Sequence, residues 1–148
     1  MKIAIASDHA GYNLKEEIKK HLAEKNIEFI DYGTNSCDSV DYPDFAYPAA
    51  TSVRDHQTDF GILVCYTGIG MSITANKVRG IRAALVENLD AAKLTREHNN
   101  ANVLCLSAKD LSLDVALEIV DTFLNTTFLG GRHERRVNKI MEIEQNEK

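Results

Sequence analysis

The stretch Phe60-Gly-Ile-Leu-Val-Cys-Tyr-Thr-Gly-Ile-Gly-Met-Ser-Ile-Thr-Ala-Asn76 decides how the chain is read. Its first part, Gly61 to Val64, is a short apolar run with the length and branched content of a buried strand. The run stops at Cys65. Thr67-Gly68-Ile69-Gly70 cannot extend it, because paired glycines favour a tight turn and a close backbone approach. From Met71 to Val78 the apolar spacing becomes helical. A strand, a glycine-rich turn and a helix start gather free backbone N–H groups and the positive end of a helix dipole around one point. Such a point suits a phosphate, a carboxylate or a transient oxyanion. Cys65 stands at its mouth, where the same field favours a thiolate. The plainer alternative is a packed thiol beside a turn, since cysteine is among the most buried residue types.

Three sharper motifs fail on the letters. A P-loop needs Gly-Lys-Ser/Thr at its end, and this turn has Gly70-Met71-Ser72. A dinucleotide fingerprint needs a third glycine where Ile73 stands. A cysteine phosphatase carries an arginine six residues after its nucleophile, and that position is Met71. An anion-cradling turn with a thiol remains.

Outward from this stretch, strands and helices alternate. Lys2 to Ala6 reads as a first strand, followed by the polar turn Ser7-Asp8-His9-Ala10-Gly11 and a helix with Leu14, Ile18 and Leu22 on one face. Ile27 to Tyr32 is a second strand, closed by Gly33. A polar loop, Thr34 to Asp41, leads through Tyr42-Pro43 into a helix carrying Phe45, Ala46, Ala49, Ala50 and Val53. After the central strand come a fourth strand, Ile81 to Val86, a helix from Asp90 to Asn99, and a fifth strand, Asn102 to Leu106. An amphipathic helix, Ser112 to Asn125, precedes Gly130-Gly131 and a last helix from Arg132 to about residue 145. The alternation predicts an α/β fold of three layers, α/β/α and Rossmann-like, with a five-stranded parallel sheet and one domain over residues 1–148.

Composition bounds the function. The 148 residues suffice for a real core, and 44% apolar with 26% charged residues is ordinary for a soluble globular chain. A net charge of −5 argues against nucleic acid as a partner. Cys37, Cys65 and Cys105 form no close-spaced pair, so a reduced cytoplasmic setting fits better than a disulfide framework. Ile3 to Ala6 is too short for a signal-peptide core, and no apolar run has the length of a membrane span. His21 and His56 read as surface residues, Cys37 and Cys105 as structural.

In a parallel sheet every strand ends on one edge, where ligands bind. Asp8 and His9 follow the first strand and Cys65 to Gly70 the third, so one ligand can touch both. His98 and Asn99 come just before a strand and belong at the opposite edge. They join the same site only if a second subunit supplies them. Taken alone, a histidine there is more often a structural or surface residue than a functional one. Arg132 and Arg136 lie four apart on one helix face, suited to one phosphate or to a solvated basic face.

Ser7-Asp8-His9-Ala10-Gly11, Asp41-Tyr42-Pro43, Cys65-x-Thr67-Gly68-Ile69-Gly70, Glu97-His98-Asn99 and Gly130-Gly131-Arg132-His133-x-x-Arg136 resemble the type B ribose-5-phosphate isomerases. Their superfamily includes allose-6-phosphate isomerases and galactose-6-phosphate isomerase subunits. The resemblance runs in order from residue 1 to about residue 145. It departs at Tyr66, where the family usually has glycine, and a side chain there bears on pocket width.

The resemblance implies an aldose–ketose isomerase acting through an enediolate on ribose 5-phosphate and ribulose 5-phosphate. Cys65 is then the base, with Thr67 orienting it or bonding substrate, and His98 opens the sugar ring. The N–H groups of Gly68, Ile69, Gly70, Met71 and Ser72 form the anion hole. Asp8, Tyr42 and Asn99 contact the sugar, while His9, Arg132 and Arg136 hold its phosphate. No metal or other cofactor is implied. The implied assembly is a homodimer with shared sites, or a dimer of such dimers. Two alternatives stay open: the same chemistry on allose or galactose 6-phosphate, and a sugar-phosphate sensor without catalysis.

Overall fold

A computed structural model describes residues 1–147 of the chain. Five strands, β1 (Lys2–Ser7), β2 (Glu28–Asp31), β3 (Phe60–Cys65), β4 (Ala83–Leu85) and β5 (Val103–Ser107), form one sheet in the order β2-β1-β3-β5-β4. Every pairing is parallel. The helices are α1 (Tyr12–Glu24), α2 (Pro43–Arg54), α3 (Ile69–Ala75), α4 (Leu89–Glu97), α5 (Leu113–Asn125) and α6 (Arg132–Asn146). The three-layer α/β fold expected from the alternation is the one observed.

Side chains alternate across each strand, so the sheet builds two cores. On one face Ile3, Ile5, Ile62, Val64, Leu104 and Leu106 pack against Ile18 and Leu22 of α1, Ala92 of α4, and Ile119, Val120 and Phe123 of α5. On the other, Ala4, Ala6, Leu63, Cys65, Val103 and Cys105 meet Ala46, Ala49, Ala50 and Val53 of α2 and Met71 and Ala75 of α3. Alanine faces alanine between β1 and α2, which lets that helix lie close. Gly11 fits α1 to the sheet in a similar way. A Cβ there would stand 2.5 Å from the Val64 carbonyl oxygen.

Several expected bounds move. The fourth strand shrinks from Ile81–Val86 to Ala83–Leu85. The Arg82 N–H is taken by the Asn102 side chain, whose amide also donates to Gly80, so a side chain replaces the ladder there. The third helix begins two residues early, at Ile69, and ends at Ala75. The fourth begins at Leu89 because Asn88 caps it, accepting from the Ala91 N–H at 2.8 Å, and it ends before His98 and Asn99.

Two surface and packing expectations are corrected. Cys37 is exposed and so is no packed structural thiol. His21 is largely covered and bonds Asp121 of α5 at 2.8 Å, tying α1 to α5. His56 is exposed, as expected. Lys15 was not singled out, yet it is fully buried. Its ammonium donates to Asp31 at 2.8 and 2.9 Å and to the Thr34 carbonyl at 2.6 Å. No described helix is long and apolar enough to cross a membrane.

Candidate active site

Cys65 is the last residue of β3 and only 4% exposed. Its sulfur receives the Gly68 N–H at 3.2 Å, so the turn wraps around the thiol. That turn needs glycine. Gly68 has φ +78, and a Cβ would meet Leu85 at 2.5 Å and the Leu106 backbone at 3.0 Å. At Gly70 a Cβ would stand 2.6 Å from the Tyr42 ring, which therefore lies directly on the turn. Tyr42 caps the start of α2 and stays 41% exposed, reaching from one helix start to another.

The five N–H groups of the expected anion hole are not equally available. Gly68 donates to the Cys65 sulfur, Ile69 to the Thr67 hydroxyl at 3.3 Å, and Ser72 to the Gly68 carbonyl at 3.1 Å. Gly70 and Met71 alone keep N–H groups without a protein acceptor among the described residues. The expected hole thus narrows to those two donors. Met71 itself is buried beneath the turn, leaving only its backbone to contribute, and the Ser72 hydroxyl donates back to the Ile69 carbonyl.

Asp8 joins this cluster from β1. Ser7 pairs with Val64, and the Asp8 N–H donates to the Val64 carbonyl at 3.2 Å, which sets Asp8 beside Cys65. Its carboxylate, 6% exposed, accepts the Gly11 N–H at 3.0 Å at the start of α1. His9 accepts the Val40 N–H on Nδ1 at 3.1 Å, so the neutral ring carries its proton on Nε2. On the other side Ser107 pairs with Cys65, and its hydroxyl donates to the Tyr66 carbonyl at 3.0 Å. Ser107 was not singled out from sequence. A strand-end serine carries no signal until its neighbour in the sheet is known.

Cys65 and Cys105 share a face of the sheet, yet their surroundings differ. Burial pushes the Cys105 thiol well above its usual range, so it stays protonated and unreactive. Cys65 sits at the strand end, where the turn offers it a donor.

His98, Asn99, Arg132 and Arg136 are not brought to this cluster. His98 caps the C-terminus of α4, and β5 then runs from Val103 up to Ser107, the neighbour of Cys65. Four residue steps along β5 alone separate the two edges by about 13 Å. Asn99, Arg132 and Arg136 are exposed. One residue missed from sequence is next to His98. The His133 ring stacks on it, with centroids 4.1 Å apart and planes within 10°. Burial, then the neighbouring His98, Arg132 and Arg136, hold the His133 imidazole below its ordinary range, with Glu97 opposing. No cluster of three or more His, Cys, Asp or Glu side chains suited to a metal occurs among the described residues.

Residues 3–140 match the family model described as Ribose/Galactose Isomerase. The ribose-5-phosphate isomerase B of Escherichia coli is 46% identical over 144 residues, covering 97% of each chain. Among solved structures, that of the Clostridium thermocellum ribose-5-phosphate isomerase B superposes with a TM-score of 0.97 at 54% identity, covering 98% of both chains. The Mycoplasma genitalium ribose-5-phosphate isomerase B, solved with bound ribulose 5-phosphate, gives a TM-score of 0.95 at 47% identity, covering 99% of this chain and 97% of that one.

Proposed function

The chain belongs to the ribose/galactose isomerase family, and on that premise we infer that it is a ribose-5-phosphate isomerase. It interconverts ribose 5-phosphate and ribulose 5-phosphate through an enediolate, as in the non-oxidative pentose phosphate pathway, with residues 1–148 as one isomerase domain. The observation that carries the reading is the Cys65 sulfur held at a strand end beside two uncommitted N–H groups.

The chemistry follows from that arrangement. His98 takes the proton of the anomeric hydroxyl as the bond from C1 to the ring oxygen breaks, and returns a proton to the ring oxygen, which leaves as a hydroxyl. The Cys65 thiolate then removes the C2 proton, and the electrons move onto the aldehyde oxygen. Gly70 and Met71 donate to the resulting oxyanion, the proton of the C2 hydroxyl passes to that oxygen, and the proton held by Cys65 returns to C1 as the C2 carbonyl forms. Thr67 braces the turn through the Ile69 N–H and bonds the substrate with its hydroxyl. Asp8, Tyr42 and Asn99 hold the sugar hydroxyls. The Nε2–H of His9 and the guanidinium groups of Arg132 and Arg136 hold the phosphate. No metal or cofactor takes part.

The site is shared in this reading. Cys65, Thr67, Asp8, His9 and Tyr42 come from one subunit and His98, Asn99, Arg132 and Arg136 from its partner in a homodimer. The separation of the two sheet edges supports that division. The enzyme works in the cytoplasm, where its three free cysteines stay reduced.

The test is turnover of ribose, allose and galactose phosphates with and without chelator, with deuterium exchange followed by NMR. Ribose 5-phosphate should be preferred and chelator should have no effect. Ribulose 5-phosphate has no furanose ring to open, because its C5 oxygen carries the phosphate. His98→Ala should therefore impair the ribose-to-ribulose direction while C1 exchange from ribulose 5-phosphate survives, whereas Cys65→Ala should abolish both. Comparable kcat/KM on a six-carbon substrate would overturn the substrate assignment. Loss of C1 exchange in His98→Ala as complete as in Cys65→Ala would overturn the division of roles.

A further inference from the structure

His133 is a buried histidine that the reaction above does not use. It is the second residue of α6, and with Val137 it makes the buried face of that helix. Its ring lies 4.1 Å from that of His98, nearly parallel. Backbone bonds fix both partners. The His98 N–H donates to the Leu94 carbonyl at 2.8 Å, and the His133 N–H to the Gly130 carbonyl at 3.1 Å. The Leu129 N–H donates to the Glu97 carbonyl at 3.1 Å, fastening the start of α6 to the end of α4.

A catalytic imidazole is usually oriented by an acceptor on one ring nitrogen, which also fixes its tautomer. Among the described residues neither ring of this pair makes a side-chain hydrogen bond. The face of His98 is therefore held while both of its nitrogens stay uncommitted. Ring opening asks for that combination, because the group must take a proton from one oxygen and return one to another. We propose that His133 is a positioning residue, a flat platform whose stack sets the plane of the His98 ring without engaging its nitrogens. The proposal rests on the reading of His98 as the ring-opening group. The charges around His133 agree with it. Burial first, then the neighbouring His98, Arg132 and Arg136, disfavour a charge on His133 and only Glu97 favours one, so His133 serves as a neutral surface.

The test compares His133→Leu, which keeps apolar volume but loses the flat face, with His133→Phe, which keeps the face but cannot titrate. In the ribose-to-ribulose direction kcat should fall about 10- to 100-fold for His133→Leu, the scale of a misplaced catalytic group. His133→Phe should recover most of that loss. C1 deuterium exchange from ribulose 5-phosphate should stay within about twofold in both, since misplacement costs only the step that uses the group. The ring-proton NMR signal of His98 should keep its stacking shift in His133→Phe and lose it in His133→Leu. Turnover equally poor in both variants, or unchanged in His133→Leu, would overturn the platform. That failure is distinct from failure of the ring-opening reading, which would show in His98→Ala losing C1 exchange.

Discussion

The two edges of the sheet are built on different terms. At the C-terminal edge the chain pairs many of its own polar groups, leaving the Gly70 and Met71 N–H groups and the buried Ser7 hydroxyl without a protein partner among the described residues. Cys65 receives Gly68, Asp8 receives Gly11, His9 receives Val40, and the Tyr42 ring lies on Gly70. At the opposite edge Asn99, Arg132 and Arg136 face solvent beside the stack of His98 on His133. In the proposed reaction the first edge meets a developing negative charge, where fixed donors avoid reorganisation. The second, in the same proposal, offers long exposed cationic side chains to the phosphate.

The comparison breaks most sharply at Cys65. Cys65→Ala should abolish exchange of the C2 hydrogen with solvent deuterium. Cys65→Ser should be nearly as damaged, because a hydroxyl is too weak an acid to serve as the base near neutrality. Mixing inactive Cys65→Ala with inactive His98→Ala subunits should regenerate sites holding both native residues. Mixed dimers without recovered activity would refute the shared site.

Next in size is a purely structural loss. Asp31→Asn removes the counter-charge of buried Lys15 and should cost about 3–5 kcal/mol in chemical denaturation. Burial alone would raise the Asp31 carboxyl, but hydrogen bonds from Lys15, Lys19 and the Gly33 N–H outweigh it and hold the carboxyl below its ordinary value. A depressed folded value stabilises above the unfolded value, near 3.8, and that contribution disappears as pH falls through the folded value. The wild type should lose this stability only in strong acid, and Asp31→Asn should lack that part of the acid transition.

Arg132→Ala, at the open edge, should raise KM for ribose 5-phosphate and cost about 2–5 kcal/mol in kcat/KM once the phosphate desolvates the pair. With unphosphorylated ribose the loss should be much smaller. Equal losses on both substrates would place Arg132 in the fold or the chemistry instead. The smallest effect is expected at Gly70→Ala, whose methyl must displace the Tyr42 ring. A cost of about 1–3 kcal/mol in stability or in kcat/KM is the scale of such overpacking. A neutral outcome would mean that the tyrosine moves freely and that the closed edge is less rigid than its contacts suggest.

The layers, the strand sequence and the closed edge were legible because each rests on local patterns. Gly61 to Cys65 announces a buried strand, and the glycines after it announce a turn. The opposite placement of His98 followed from its position before a strand. What stayed hidden depends on partners distant in sequence. Lys15 sits beside the apolar face of α1, and a lysine there reads as solvated until Asp31 and Thr34 close over it. The stack of His98 on His133 joins two helices that no periodicity connects. The narrowing of the anion hole turned on which N–H groups the short helix α3 uses for itself, a matter of single hydrogen bonds that spacing does not encode.

The strand order carries a last consequence. The outermost strands, β2 and β4, are the shortest, with four and three residues, and β2 brings Glu28 and Asp31 to its rim. Such brief margins, with charge on β2, make poor templates for a further strand, the usual protection against fibrous growth through open ladders. The sheet therefore offers little for edge-to-edge pairing with another copy of this chain.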